Sequence, residues 1–250
     1  MKNSLRKVAS IEARMGSSRL PGKVLKNFGE ETALSLLVKR LKRSKTLDDI
    51  VIATTVEKED DLICDWCKSN QIPFFRGSEQ DVLDRVVKAH EFMQTDLVIE
   101  ITGDCPFTDP AIVDLAVETF LANKVDVVSN CGNFLTWPLG QYAQVFPLDL
   151  LKNVNEKIND PAVHEHVSLF FYENPDLFKI YDLIAPNRWK YPDIRMVLDY
   201  QEDFIFLTKI FENLYGKYDI FFGIEEIIEC LNANPKFLDI NKNLIEKSVR

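Results

Sequence analysis

Apolar runs of strand length alternate with helical patterns through the first half of the chain. The runs are rich in Val, Ile, Phe and Thr, as is typical of strands, and they are KVASIEA (7–13), DIVIATT (49–55), IPFFRG (72–77) and DLVIEITG (96–103). Apolar residues recur at helical spacing between and after them, at about 31–44, 58–70, 79–93 and 109–123. Strict alternation of strand and helix predicts an α/β fold whose mostly parallel sheet is covered by helices on both faces.

The alternation stops after VDVVSN (125–130). Residues 131–146, CGNFLTWPLGQYAQVF, predict an extended ribbon with a turn near Pro138 and Gly140. The aromatic side chains of this ribbon are Phe134, Trp137, Tyr142 and Phe146. A lone hairpin should not expose so much aromatic surface, so we expect the ribbon to lie at or near a contact between two copies of the chain.

The rest of the chain returns to short helices and strands. Asp160-Pro161 predicts the start of a helix, with the aspartate as N-cap and the proline in the first turn. KIYDLIA (179–185) and IRMVLD (194–199) predict two further strands. No internal repeat, low-complexity tract or linker is visible, so residues 1–250 are expected to form a single domain.

The connection after the first strand, EARMGSSRLPGK (12–23), combines glycines, serines and cations. Ligands bind beyond the carboxyl ends of such strands, where N–H groups, hydroxyls and cations can hold a polyphosphate. The connection is not a Walker loop, because five residues separate Gly16 from Gly22, and Val24 instead of Ser or Thr follows Lys23. The candidate phosphate ligands are Arg14, Gly16, Ser17, Ser18, Arg19 and Lys23. A solvated basic turn is the alternative interpretation.

Two aspartates stand directly after predicted strands. Asp104 lies in TGDCP (102–106), and Asp199 ends the run IRMVLD. Magnesium is commonly held by one or two carboxylates together with substrate phosphates, so these aspartates and the basic loop predict a magnesium-triphosphate site. The third connection adds Gly77 and Ser78 before a helix, where Ser78 can also serve as a cap. A loop aspartate is otherwise often a turn former.

Composition and charge exclude two classes of function. The formal net charge of −9 argues against a general affinity for nucleic acid or anionic membrane. No segment approaches the roughly 20 consecutive apolar residues that span a bilayer. The first residues lack the apolar core of a secretory signal, and an odd number of cysteines, 5 in 250 residues, favours a reducing cytoplasm.

Two short motifs resemble metal sites but favour other interpretations. Cys64 and Cys67 have C-x-x-C spacing, but they lie in a helical pattern without a second such pair, which favours buried cysteines. His164 and His166 are two residues apart, so on a helix they point to different sides and do not easily share an ion. Glu165 and His166 are instead candidate substrate contacts.

Seven segments in collinear order resemble the spore-coat polysaccharide (SpsF-type) branch of the cytidylyltransferases, a branch related to the enzymes that activate sialic acid and 3-deoxy-manno-octulosonate. The segments are ARMGSSRLPGKVL (13–25), IVIATT (50–55), FRGSEQDVLDR (75–85), ITGDCPFTDP (101–110), EHV (165–167), RMVLDYQEDF (195–204) and EEIIECLNANP (225–235). The resemblance implies a three-layer α/β/α sandwich with a Rossmann-like sheet, of the nucleotide-diphospho-sugar-transferase type and usually dimeric. It also implies magnesium-dependent transfer of CMP from CTP to an acceptor for surface-glycan assembly, with release of pyrophosphate.

The same resemblance implies a role for each matching position. The residues that would bind the nucleotide are Arg14, Gly16, Ser17, Arg19, Lys23, Gly77 and Ser78, the last two near the cytidine. The residues that would act in catalysis are Lys23, Arg14 and Asp104. The residues that would hold the magnesium ion are Asp104 and Asp199. Arg195 would lie by the acceptor or by the late phosphates.

Two departures from these relatives are visible. Glu12 stands where relatives usually have Gln, and PLGQYAQVF (138–146) replaces a run of the type Pro-Asp-Gly-Leu-Asp-Val-Glu-Val-Phe. Leu139, Tyr142 and Gln144 thereby take acidic positions in a region expected to face the acceptor. A wall without these charges and with a tyrosine tolerates a more anionic or a more apolar acceptor. We therefore expect Tyr142 and Gln144 to contact a small acceptor that carries its own carboxylate or phosphate.

Two other functions stay open on the sequence alone. A glycosyltransferase of the same fold normally has an Asp-x-Asp motif after a central strand, and GDC (103–105) lacks the second aspartate. A degenerate nucleotide-binding partner without activity is favoured only by the altered run at 138–146. The presence of Lys23, Asp104 and Asp199 argues against it.

Overall fold

Short strands and helices alternate along the chain in a computed structural model that describes residues 5–132 and 134–245. The strands are β1 (Lys7–Glu12), β2 (Asn27–Phe28), β3 (Glu31–Thr32), β4 (Asp49–Thr55), β5 (Phe74–Gly77), β6 (Leu97–Thr102), β7 (Val127–Ser129), β8 (Gln144–Pro147) and β9 (Ile180–Asp182). The α-helices are α1 (Ala33–Leu41), α2 (Asp61–Asn70), α3 (Val82–Phe92), α4 (Pro110–Ala122), α5 (Leu148–Lys157), α6 (Pro161–Glu165), α7 (Leu169–Glu173), α8 (Gln201–Tyr218) and α9 (Ile224–Ala233).

One sheet has the strand order β5-β4-β1-β6-β8-β7-β9, and β2 and β3 form a small separate hairpin. β1 pairs in parallel with β4 and β6, β4 pairs in parallel with β5, and β7 pairs in parallel with β9. Within the seven-stranded sheet, as far as the chain is described, only β8 runs against its neighbours, pairing antiparallel with β6 and β7. The prediction of a mostly parallel sheet is therefore confirmed.

Apolar side chains on both faces of this sheet form two cores. Ala9 and Ile11 of β1 belong to one core and Val8 belongs to the other, because successive residues of a strand point to opposite faces. Helices α1, α4, α8 and α9 contribute to the first core, and α3, α5, α6 and α7 contribute to the second. Helices on both faces of the sheet give the three layers that the resemblance implies.

Helix α6 begins where its capping residue predicts. Asp160 Oδ1 accepts a hydrogen bond from the backbone N–H of Ala162 (2.9 Å), and Pro161 is the first residue of α6.

Within residues 5–132 and 134–245, no helix has both the length and the apolar character needed to cross a membrane.

The prediction of a strand over 194–199 is wrong. Arg195 forms a single isolated bridge with Leu139. The chain then turns to a different partner, because the backbone N–H of Leu198 donates to the carbonyl of Asp104 (2.8 Å). A strand needs successive pairs with one neighbour, so the segment stays irregular and connects the ribbon to the rim of the sheet.

The ribbon predicted over 131–146 is extended only in part. Its last residues enter β8, which lies inside the sheet between β6 and β7. Trp137 and Phe146 are consequently only 2% and 0% exposed, so these two aromatic side chains pack within the protomer and do not face a partner. Phe134 is 60% exposed, and Asn133 lies outside the described residues.

Candidate functional site

The loop after β1 is held in shape by its own backbone and by one buried carboxylate. The carbonyl of Met15 accepts hydrogen bonds from the backbone N–H groups of Ser17 (2.8 Å) and Gly22 (2.9 Å). Asp60 accepts from the backbone N–H of Met15 (2.7 Å) through one oxygen and from that of Thr55 (3.1 Å) through the other. The loop is therefore tied to the end of β4. Sequence reasoning missed Asp60, whose available signal was a carboxylate five residues after the end of a strand.

Lys23, Asp104 and Asp199 converge at the carboxyl rim of the sheet. Lys23 Nζ lies 2.8 Å from Asp104 Oδ2 and 2.7 Å from Asp199 Oδ1. The three side chains are 14%, 23% and 11% exposed, in that order, and charges interact more strongly in such partly dry surroundings than in water. Three predicted residues from distant parts of the chain thus form one ion-pair cluster.

Asp104 reaches this cluster through a close approach of β6 to β1. The backbone N–H of Gly103 donates to the carbonyl of Glu12 (3.0 Å). A Cβ atom on Gly103 would come within 2.4 Å of the same carbonyl oxygen. Only glycine therefore fits before Asp104, and the turn that it allows directs the carboxylate to the rim.

The ion pairs keep the cluster charged. Burial disfavours the carboxylate of Asp104, but the charge and hydrogen bond of Lys23, with hydrogen bonds from Thr102 and Cys105, together outweigh burial and hold the pKa of Asp104 below its ordinary value. Burial likewise opposes the charge of Lys23, and Asp104 and Asp199 together raise the pKa of Lys23 above its ordinary value. Lys23 therefore lies as a cation between the carboxyl groups of Asp104 and Asp199.

The two predicted loop arginines lie in different surroundings. Arg19 Nη2 is 2.9 Å from Asp199 Oδ2, and its guanidinium stacks over the ring of Tyr200 at 5.0 Å. Arg14 Nη1 is 2.8 Å from Glu79 Oε1, and both of these side chains are more than a third exposed, at 46% and 37%. Arg19 thus belongs to the cluster, whereas Arg14 lies at its edge in a solvated pair.

Asp199 is held in position by a buried hydrogen-bond and ion-pair network around Asp203. Asp203 Oδ1 is 3.0 Å from Arg195 Nε, and Asp203 Oδ2 accepts from the backbone N–H of Asp199 (3.1 Å). Asn241 donates to Asp203 Oδ1 (2.9 Å). Arg195 Nη2 also lies 3.2 Å from Asp199 Oδ2. The structure therefore places Arg195, a predicted acceptor contact, in ion pairs that support Asp199. Its role toward the acceptor stays a prediction.

The predicted cytidine contacts, Gly77 and Ser78, lie at the turn between β5 and α3. A Cβ atom on Gly77 would come within 2.8 Å of Arg85 Cγ, so this position is crowded. Ser78 Oγ accepts from the backbone N–H groups of Gln80 (3.2 Å) and Asp81 (3.1 Å). The helix cap considered for Ser78 is instead supplied by Asp81, whose Oδ1 accepts from the backbone N–H of Asp84 (2.9 Å). Ser78 closes the turn before the helix, and its cytidine contact stays a prediction. Gly16 lies beside Glu59.

A carboxyl group of a neighbouring strand lies beside the predicted acceptor wall. Gln144 on β8 is paired in register with Glu100 on β6, and the two residues are 7% and 5% exposed. Burial raises the pKa of Glu100 to about 7. Positions 139, 142 and 144 have no acidic side chain, but the neighbouring strand supplies a carboxyl group beside Gln144. The contacts of Tyr142 and Gln144 with an acceptor stay predictions. Tyr142 is half-buried, and Leu139 pairs instead with Arg195.

The histidine motif at 164–166 divides between two environments. His164 Nδ1 lies 2.7 Å from Asp81 Oδ1, and His164 Nε2 lies 2.7 Å from the carbonyl of Ile158. Burial opposes the charge of His164, but the hydrogen bonds with Asp81 and the Ile158 carbonyl and the charges of Asp81 and Asp84 together outweigh burial and raise the pKa of the imidazole. Glu165, at the end of α6, is exposed and His166 is half-buried. No contact in the structure tests Glu165 and His166 as acceptor ligands.

The C-x-x-C pair is buried in α2. Cys64 and Cys67 are both free thiols, and burial raises the pKa of Cys67 to about 12. A thiol with so high a pKa stays protonated at neutral pH, as is typical of an unreactive buried cysteine. Among residues 5–132 and 134–245, no group of three or more His, Cys, Asp or Glu side chains is arranged to hold a metal ion.

The pair of carboxylates at the rim, Asp104 and Asp199, suits a magnesium ion whose other ligands come from a substrate. Asp104 and Asp199 both reach one cationic atom, Lys23 Nζ, at 2.8 and 2.7 Å. The ammonium occupies the kind of position that a cation would take between the two carboxylates. One or two carboxylates completed by substrate phosphates are the usual ligands of magnesium in nucleotide enzymes, so these residues fit the predicted ion.

Comparison with known proteins gives one consistent family. The sequence profile of the family described as "Cytidylyltransferase" matches residues 8–234. The spore coat polysaccharide biosynthesis protein SpsF of Bacillus subtilis is 35% identical over 230 residues, which cover 90% of this chain and 93% of that protein. A 3-deoxy-manno-octulosonate cytidylyltransferase of Flavobacterium johnsoniae is 24% identical over 195 residues, covering 70% of this chain and 78% of that protein.

A solved structure agrees with the sequence relatives. The structure of a cytidylyltransferase from Leptospira borgpetersenii superposes with a TM-score of 0.87 at 31% identity. The superposition covers 98% of this chain and 100% of the other. The superposition therefore extends over nearly the whole α/β fold.

Proposed function

Because this chain belongs to the cytidylyltransferase family, we propose that it transfers CMP from CTP to a sugar acid in the cytoplasm, releasing pyrophosphate, for the assembly of a surface glycan. The convergence of Lys23, Asp104 and Asp199 beside the loop after β1 carries this proposal. A glycosyltransferase on this fold is disfavoured by the family match. The charged, ordered cluster disfavours a degenerate binding partner.

The residues of the rim would act on the triphosphate of CTP. Attack on the α-phosphorus builds negative charge on the departing pyrophosphate, and fixed cations stabilise that charge without a covalent enzyme intermediate. Lys23 and Arg19 are the cations fixed at the cluster, and Arg14 can reorient from its exposed pair with Glu79. Backbone N–H groups of the loop can bind phosphate oxygens.

Magnesium completes the proposed site. Asp104 and Asp199 would hold the ion, and the bound ion supplies positive charge that neutralises the phosphate oxygens. Asp203 and Arg195 keep Asp199 in place through the contacts described above. Lys23 links both carboxylates to the phosphate loop, so the loop and the metal ligands are positioned together.

The proposed acceptor is a small sugar acid. One relative is named as a 3-deoxy-manno-octulosonate cytidylyltransferase, and the cations near the rim offer partners for an acidic group. The carboxyl groups on the neighbouring β-strands do not offer such partners, so we place the acidic end of the acceptor toward the arginines of the loop.

Nucleotide choice and metal dependence test this proposal. We expect CTP to give much faster pyrophosphate release than ATP, GTP or UTP with a panel of sugar acids, and we expect an excess of chelator to abolish release. Adding magnesium back should restore it. Equal rates with all four nucleotides, or full activity in the chelator, would contradict the proposal.

We also propose that the protein forms a homodimer through the ribbon at 131–146 and the sheet edge beside it. Phe134 and Leu135 are 60% and 50% exposed, and Tyr181 of the edge strand β9 is 41% exposed. Exposed apolar side chains on a free edge strand favour contact with another chain.

The Leu135→Asp variant tests this contact. We expect the wild type to sediment as a dimer at micromolar concentration and Leu135→Asp to sediment as a monomer, because a charge at the contact would have to be buried. Leu62→Asp is the matched control, since Leu62 on α2 is 57% exposed on another part of the surface. A wild-type monomer would refute the dimer.

A further inference from the structure

Five neighbouring strands each place one polar side chain on the same line across the sheet. Register pairs join Ser10 of β1 to Glu100 of β6, and Glu100 to Gln144 of β8. They continue from Gln144 to Ser129 of β7, and from Ser129 to Asp182 of β9. Paired residues of adjacent strands point to the same face, so these five side chains form a continuous polar row.

The polar row lies between one apolar core and the carboxyl rim of the sheet. The residues two positions deeper on the same face are Val8, Val98, Phe146, Val127 and Ile180. Toward the rim, the next residues on this face of β1 and β6 are Glu12 and Thr102, which are paired in register. Two residues along a strand span about 7 Å, so the row lies only one such step below the rim that bears Asp104.

Three oxygen atoms of the polar row are buried without a hydrogen-bond partner among the described residues. They are Glu100 Oε2, Gln144 Oε1 and Asp182 Oδ1. All three are hydrogen-bond acceptors when the carboxyl groups are ionised. Buried polar groups without partners destabilise a folded protein, so each such group requires an explanation. Donors from outside the chain would satisfy all three atoms.

The spacing of these atoms excludes a single ion as the missing partner. Glu100 and Asp182 stand on strands that are three positions apart in the sheet, a separation of about 14 Å at the usual strand spacing. One metal ion cannot bind carboxylates so far apart. An extended molecule with several hydroxyl or amino groups can reach along the row.

We propose that the polar row is the part of the acceptor site that binds the hydroxyl or amino groups of a polyhydroxylated acceptor. The inference rests on the proposed function, because it places the acceptor beside the Lys23–Asp104–Asp199 cluster. It sets the orientation of the acceptor, with the hydroxylated end on the row and the acidic end toward Arg14 and Arg19. Carboxyl groups repel an acidic group and accept hydrogen bonds from hydroxyls, so the reverse orientation is disfavoured.

The protonation of the carboxyl groups is compatible with this role. Burial raises the pKa of Glu100 to about 7, and burial also raises the pKa of Asp182. Near neutral pH a fraction of the molecules therefore has a protonated Glu100, which can donate as well as accept. Hydroxyl groups of a sugar also do both, whereas an ammonium group only donates.

The Gln144→Met variant tests the polar row. Methionine keeps the length of the side chain and removes its amide group, and Oε1 with it. The protein is first saturated with magnesium and a CTP analogue that has a methylene group between the α- and β-phosphorus atoms. Calorimetry then measures the binding of two polyhydroxylated probes, 3-deoxy-manno-octulosonate and glucosamine. The short acid glycerate is measured beside them as a probe that is too small to reach along the row. We expect Gln144→Met to bind the polyhydroxylated probes at least 10-fold more weakly, about 1.4 kcal/mol, with unchanged affinity for the CTP analogue.

Thermal unfolding of the same variant separates a binding role from a structural one. Gln144→Met should unfold at the same or a higher temperature, because the free wild type buries an oxygen without a partner. Thr208→Val is the matched control, since Thr208 Oγ1 on α8 is also buried without a partner but lies outside the row. This control should leave probe binding unchanged. If Gln144→Met does not fold, Glu100→Gln tests the row instead, because it replaces one acceptor oxygen of the row with an amide group that donates.

The outcomes distinguish the polar row from the proposed function. Failure of the CTP analogue to bind in the first titration would overturn the proposed function. If glucosamine binds, 3-deoxy-manno-octulosonate does not bind, and Gln144→Met weakens the binding of glucosamine, the row is supported and the acidic acceptor is overturned. Equal binding of the probes to wild type and Gln144→Met would overturn the row. Binding of neither polyhydroxylated probe would also overturn it and leave ordered water as the partner of its oxygens.

Discussion

The Lys23→Ala variant should lower kcat/KM for pyrophosphate release by about 100- to 1000-fold, the range observed when one fixed group that stabilises transition-state charge is removed. Lys23 Nζ lies within 2.8 Å of two carboxylates on otherwise separate segments. Its removal deletes the cation that stabilises the departing pyrophosphate, and it leaves Asp104 and Asp199 facing each other. Turnover is measured with CTP and the most active acceptor of the panel.

Lys26→Ala is the control for this result. Lys26 follows the same loop, but its Nζ lies over the ring of Phe204 at 5.0 Å and has no contact with either aspartate of the cluster. We expect this variant to keep nearly wild-type turnover, and both variants should show wild-type far-UV circular dichroism. Near wild-type turnover of a folded Lys23→Ala protein would return the loop to the interpretation of a solvated basic turn.

The Asp203→Asn variant should lose about 3–5 kcal/mol of unfolding free energy, the cost of breaking a buried ion pair from one side. Asp203 is 0% exposed and Arg195 is 5% exposed, so neither charge can be hydrated in place. The Asp203 carboxylate also accepts from the backbone N–H groups of Asp199 (3.1 Å) and Tyr200 (3.0 Å) at the start of α8. Urea unfolding measures the loss of stability.

Glu212→Gln is the matched control on the same helix. Glu212 lies 3.1 Å from Lys209, and the two side chains are 56% and 47% exposed, so their pair contributes little. We expect the urea midpoint of this variant to stay near that of the wild type. If Asp203→Asn unfolds at the wild-type midpoint, the buried network does not stabilise the fold, and its assigned support of Asp199 is wrong.

Local patterns in the sequence determined the class of fold and the general location of the site. Runs such as DIVIATT and LVIEIT carry apolar residues on both faces, which a strand needs when helices cover the sheet on both sides. Parallel strands deliver the residues that follow them to one edge of the sheet. For that reason the sequence could predict that Lys23 and Asp104 would meet, although 81 positions separate them.

The tertiary structure decided which long-range pairs form. The sequence of 194–199 reads as a strand, but its neighbours offer one bridge to Leu139 and then the carbonyl of Asp104. Whether an extended segment becomes a strand depends on a partner that its own residues do not specify. The same reason explains why the buried partner of Arg195, Asp203, could not be predicted.

The polar row shows this limit most clearly. Its members are Ser10, Glu100, Gln144, Ser129 and Asp182. Glu100 is the one charged residue of the apolar run LVIEIT (97–102), but nothing in that run indicates which residues become its neighbours. A shift of one residue in the register of β8 would turn Gln144 to the opposite face. Local pattern determines that a strand forms and which of its residues share a face. Register between distant strands, which depends on the packing of both cores, determines which polar groups become neighbours.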